Sequence, residues 1–93
     1  MKAIWNDQVI AESDKTVEVE NNHYFPEDSI KMEFVVDSDL HSTCPWKGEA
    51  KYKSIKVGDE VNIDAVWYYP EPKEAAKEIK GHYAFWKGVK IEA

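Results

Sequence analysis

Within Thr43-Cys44-Pro45-Trp46-Lys47-Gly48 a thiol, an indole and an amine fall in one short stretch, and the thiol belongs to the only cysteine of the chain. Pro45 locks its own φ and biases Cys44 towards extended backbone, so the thiol is expected on a stiff turn rather than inside a helix. Gly48 allows the chain a sharp exit. A thiol attacks as its thiolate, the form favoured by a nearby cation, imidazole or dipole. Lys47 is the nearest cation in sequence, and His41 or His82 supplies an imidazole if the fold brings one close. The chemistry implied is nucleophilic catalysis, with Cys44 as nucleophile and Lys47 and His82 as its activators. The competing reading is plainer: a lone cysteine beside proline packs as a small apolar group.

Other chemistries find fewer residues. His41 and Cys44 have a spacing that suits two metal ligands, but a closed zinc site takes four donors, usually several of them cysteines. No metal and no cofactor is therefore expected, and Cys44 has no partner for a Cys-x-x-Cys redox pair. Glu27, Asp28, Asp37 and Asp39 flank the central stretch without a spacing that makes one an acid and another a base, and they read as solvated turn residues. The four glycines are scattered rather than gathered into a phosphate-binding loop. The net charge of −6 repels a phosphate backbone, and every basic residue is lysine, so there is no guanidinium fork. Nucleic acid is not an expected partner. Neither is a membrane, because no apolar run reaches the roughly 18 residues needed to cross one.

The elements that must position these groups are mostly strands. Residues 1–20 alternate as three short strands with tight turns, broken at Asn21-Asn22, after which Tyr24-Phe25-Pro26 forms an extended anchor and Glu27-Asp28-Ser29 a single turn. Residues 31–37, with an apolar centre at Met32, Phe34, Val35 and Val36, read as a strand buried on both sides. Residues 38–48 show no period and read as a long loop ending in the Cys-Pro-Trp turn. Strands follow at 50–55 and 61–69; in the latter Val61, Ile63, Ala65, Trp67 and Tyr69 share one face, which assigns the Trp67 ring to the core. Residues 72–80 read as the one short helix, with Pro72 at its first position, a stripe of Ala75, Ala76 and Ile79, Lys80 in the last turn and Gly81 beyond the end. Tyr83 to Trp86 and Val89 to Glu92 complete a mainly β chain. At 93 residues this is a single domain with one core, and twelve aromatic residues, four of them Trp, supply either that core or a ligand-facing surface. A single cysteine and the absence of a signal-peptide pattern lead to the expectation of a reducing, cytoplasmic setting.

Four blocks in order, Tyr24-Phe25-Pro26, Thr43-Cys44-Pro45-Trp46-Lys47-Gly48 with Ala50 and Tyr52, Trp67-Tyr68-Tyr69-Pro70-Glu71-Pro72, and Ile79-Lys80-Gly81-His82-Tyr83-Ala84-Phe85, resemble the signature of one family. It is the small bacterial domain-of-unknown-function family 427, which also carries a nucleotidyltransferase-like label. The resemblance implies a compact domain of two antiparallel sheets packed as a tent, similar to methionine sulfoxide reductase B-like folds. The zinc-ligand cysteine pairs of those relatives are absent here, so neither metal nor reductase chemistry carries over. The reading that results is an uncharacterised domain that binds a small molecule, anionic or aromatic, in a cleft between the sheets. Tyr24, Trp46, Trp67 and Tyr69 would bind the ligand, beside Cys44, Lys47 and His82. The alternatives are an enzyme with Cys44 as nucleophile, and a structural or protein-interaction module.

Overall fold

The first turn shows how local chemistry sets the sheet. Asn6 and Asp7 both have positive φ, 54° and 63°, the backbone of a two-residue hairpin turn whose twist matches the strands it joins. Asn and Asp tolerate that region better than other non-glycine residues. The turn closes β1 (Lys2–Trp5) on β2 (Gln8–Glu12). In the computed structural model, which describes residues 1–93, seven further strands follow: β3 (Val17–Val19), β4 (Asn22–Pro26), β5 (Val35–Cys44), β6 (Gly48–Val57), β7 (Glu60–Tyr68), β8 (His82–Phe85) and β9 (Lys90–Glu92). They form two antiparallel sheets, one of three strands in the order β2-β1-β9 and one of six in the order β3-β4-β8-β7-β6-β5. No helix is long and apolar enough to cross a membrane.

Side chains alternate across the large sheet, and this divides its apolar residues into two groups. Phe25, Ile55, Ala65, Val66, Tyr83 and Phe85 face the small sheet and pack with its Ala3, Ile10 and Ala11. Phe25, Ile10, Ile55 and Val66 are fully buried there, each contributing roughly 1.5–3 kcal/mol relative to exposure. Tyr24, Ala50, Tyr69 and Ala84 point to the opposite face, where Ala76 and Ile79 cover part of them and Val17, Val19, Cys44, Tyr52 and Trp67 pack at the margins. The second cluster includes no residue of the small sheet.

Four sequence expectations change in detail. Met32–Phe34 is a turn of 3-10 helix and the strand begins only at Val35, with Met32 and Val36 well exposed rather than buried. The strand then runs through the stretch read as a loop, because β5 is the free edge of the sheet: solvent on both sides removes the alternation that would reveal a strand. In β7 the face pattern breaks at Asp64, whose φ of 59° marks a bulge in the pairing with β6. Ala65 and Val66 are consequently both buried towards the small sheet, while Val61 and Ile63 are 50% and 64% exposed. The short helix at 72–80 is present as a 3-10 segment, Glu74–Ile79, kinked at Ala76 (φ −126°, ψ 22°). It buries Ala76 and Ile79 but leaves Ala75 in solvent.

Candidate functional site

Cys44 pairs with Gly48 at the end of the β5–β6 hairpin, so Pro45, Trp46 and Lys47 form its three-residue loop. The loop is tied to the segment before the 3-10 helix at two points. The Lys73 N–H donates to the Lys47 carbonyl (2.9 Å) and the Lys73 ammonium to the Pro45 carbonyl (2.7 Å). Lys47 is thereby turned inward and is only 7% exposed. Its ammonium pairs with the Glu20 carboxylate and lies 5.2 Å from the ring centroid of Trp46 and 5.6 Å from that of Tyr69. Burial alone pulls this ammonium down. The hydrogen bond to Glu20 and the neighbouring Tyr24 and Tyr69 outweigh it, so the amine is held above the ordinary lysine range and stays charged. A protonated amine is an anion-binding group rather than a nucleophile.

Lys47, Tyr52, Trp67, Tyr69 and Trp86 surround a cavity of about 220 Å³ on the outer face of the large sheet. The cleft is thus not between the sheets, because Tyr24, Trp67 and Tyr69 alternate away from the small one. Tyr52 and Trp67 are cross-strand partners of β6 and β7. Trp67 donates its indole N–H to the hydroxyl of the fully buried Tyr24 (3.2 Å), and the two rings meet edge to face at 6.2 Å. Burial pushes the Tyr69 phenol up to about 12 against the opposing pull of the Lys47 ammonium, so it stays neutral at ordinary pH. Trp86 stands against Trp67 edge to face at 5.8 Å and against Tyr52 at 6.3 Å.

The bulge in β7 positions Trp86. The Asp64 carbonyl accepts the Trp86 indole N–H (2.5 Å), and the Ala65 carbonyl accepts the Trp86 backbone N–H (3.0 Å). The bulge is held in turn by Ser54, whose hydroxyl accepts the Asp64 N–H (3.0 Å), and by Ser38, whose hydroxyl donates to the Asp64 carboxylate. One wall of the cavity therefore depends on a strand irregularity.

Of the residues singled out in the sequence, Lys47, Trp67 and Tyr69 line the cavity and Tyr24 lies behind its wall. Cys44 is half-buried and packs at the margin of the same cluster. Trp46, 39% exposed, has its ring beside the Lys47 ammonium but is not part of the lining. His82 opens β8 with its Nδ1 2.9 Å from the Lys80 carbonyl and does not reach the cavity. Sequence reasoning missed Tyr52, Trp86 and Glu20. Tyr52 carried a usable signal, an aromatic one step of two from Ala50, whereas Trp86 and Glu20 arrive through turns. The wider grooves beside Glu49, Lys51, Pro70 and Glu71, and beside Ser38, Asp39, Leu40 and His41, have no aromatic wall. No three His, Cys, Asp or Glu side chains converge as metal ligands would.

A small two-sheet β domain with an aromatic-walled cavity and an inward-facing ammonium is the class of protein so defined. The chain belongs to the family described as Domain of unknown function (DUF427), whose model matches residues 1–93, in agreement with the four sequence blocks. No curated protein matches it.

Proposed function

We propose that this domain binds a small planar molecule in the cavity formed by Tyr52, Trp67, Tyr69 and Trp86. The observation that carries the reading is the concentration of four aromatic side chains and one charged amine around a space of about 220 Å³. Ligand sites combine apolar and aromatic walls with a few placed polar groups, and this lining has that composition. The size limits the ligand: a cavity of about 150 Å³ holds benzene, so this one suits a single ring with a modest substituent. The single half-buried thiol fits a reducing, cytoplasmic setting.

Titration of isotope-labelled protein with single-ring aromatic fragments tests the reading. The Trp67 and Trp86 indole N–H resonances should shift together and saturably, and Trp86→Ala should abolish the response while keeping the fold. Shifts confined to other residues, or unchanged binding by Trp86→Ala, would refute it. A second reading, Cys44 as a nucleophile, draws on the packing of its side chain in the cluster that holds Tyr69. It predicts that a bound fragment protects Cys44 from alkylation, and equal alkylation rates with and without fragment would reject it.

A further inference from the structure

We infer that the ligand of this cavity is an aromatic carboxylate and that Glu20 is a resident carboxylate occupying the ligand's place on Lys47. The inference rests on the binding reading above and adds the ligand's charge and its competitor. Two independent observations carry it.

The first is the state of Lys47. Its ammonium is nearly excluded from solvent and its only hydrogen-bond partner is one Glu20 oxygen, with the faces of Trp46 and Tyr69 on either side. An ammonium has three donors, so Lys47, which lines the cavity, has hydrogen bonds to offer a ligand beyond the one it gives Glu20. The charge also selects the ligand: a cationic ligand against the same aromatic walls would meet Lys47 as a like charge, whereas a carboxylate would be drawn to it. The overall charge of −6 acts at longer range and is screened beyond a Debye length of about 8 Å at physiological salt.

The second is the backbone of Glu20. With Asn21 it forms the two-residue turn between β3 and β4, at φ 53° and 67°. This turn favours Gly, Asn or Asp at both positions, and a glutamate there is in a sparsely populated conformation. Turn chemistry thus gives no reason for glutamate at this position, while its side chain supplies the one counter-charge of Lys47. The Glu20 side chain is 52% exposed, so it can leave the ammonium and be solvated in place. A ligand carboxylate adding beside Glu20 would put two like charges on one ammonium. Exchange, with the ligand ring against Trp67 and Trp86 and its carboxylate on Lys47, keeps the pair neutral.

The experiment compares benzoate with its neutral isostere benzamide, read by the Trp67 and Trp86 indole resonances, in the natural protein and in Glu20→Gln. The variant keeps the side-chain length on an exposed turn and removes the charge. Benzoate should bind more tightly than benzamide, and Glu20→Gln should tighten benzoate by on the order of 5-fold, the fold-change matching the upper range for an exposed ion pair, while leaving benzamide unchanged. High salt should weaken benzoate alone. If both probes bind equally and Glu20→Gln changes neither, the carboxylate assignment is wrong while the aromatic site stands. If neither probe moves the indole resonances in either protein, the binding reading fails and this inference with it.

Discussion

Gly48→Ala probes how the Lys47 loop is held against the rest of the domain, and Gly58→Ala is its internal reference. Gly58 opens the β6–β7 turn at φ +60°, and a Cβ there would meet nothing within 4 Å. Its replacement costs only the left-handed penalty, about 1–2 kcal/mol. Gly48 sits at φ +111°, outside the left-handed well and in territory nearly confined to glycine, which costs about 1–3 kcal/mol. A Cβ at Gly48 would also stand 3.3 Å from the Glu71 carbonyl oxygen and 3.6 Å from the Lys73 nitrogen. Those are backbone atoms, and Lys73 is the residue that bonds the Lys47 and Pro45 carbonyls. Stretching one such bond costs about 0.5–1.5 kcal/mol. The expected loss is about 2–4 kcal/mol at Gly48, against about 1–2 kcal/mol at Gly58. At about 4–8 °C per kcal/mol for a domain of this size, Gly48→Ala should lower the melting temperature by roughly 10 °C or more. Urea denaturation of the two variants, followed by circular dichroism, measures the difference directly. Equal losses would mean that the contact between residues 48 and 71–73 does not constrain the loop, and the account of Lys47 burial would fall with it.

Two further predictions concern the aromatic residues. Trp67→Ala removes a half-buried ring bonded to the buried Tyr24 hydroxyl and should cost about 3 kcal/mol, whereas Trp46→Ala, at a ring 39% exposed, should cost less than about 1.5 kcal/mol; comparable losses in denaturant melts would contradict this placement. Tyr69 and Tyr83 are pushed up to about 12, each chiefly by burial, with Glu27 adding to the shift at Tyr83. The unfolded chain then releases these phenolic protons first. Their contribution is fully present below about pH 10 and is lost as pH rises through about 12. Denaturation free energies measured at stepped alkaline pH should fall across that window, and a flat profile would refute the burial of both hydroxyls.

The mainly β class, the hairpin at Asn6-Asp7, the short helical piece ending near Gly81 and the family blocks were legible in the residues, because each is set by chemistry within a few positions. Turn residues with positive φ, alternating side chains and a proline before a helical turn act locally. The hairpin loop that presents Lys47 was legible only in part. Pro45 and Gly48 announced a turn, yet β5 leading into it had no visible period, since an edge strand wetted on both sides is under no pressure to alternate. What tertiary structure alone decided is which groups meet. The bulge at Asp64 breaks the alternation within β7: Ala65 and Val66 are both buried towards the small sheet, Val61 and Ile63 are exposed, and Trp67 and Tyr69 line the outer cavity. Between Asn62 and Val66 three residues of β7 stand opposite one of β6, and periodicity read along the chain cannot place such an irregularity. Glu20 reaches Lys47 across 27 positions, and Trp86 reaches the Asp64 carbonyl across 22. Such contacts follow from the order in which strands pair, a property of the assembled sheet that no local stretch of residues contains.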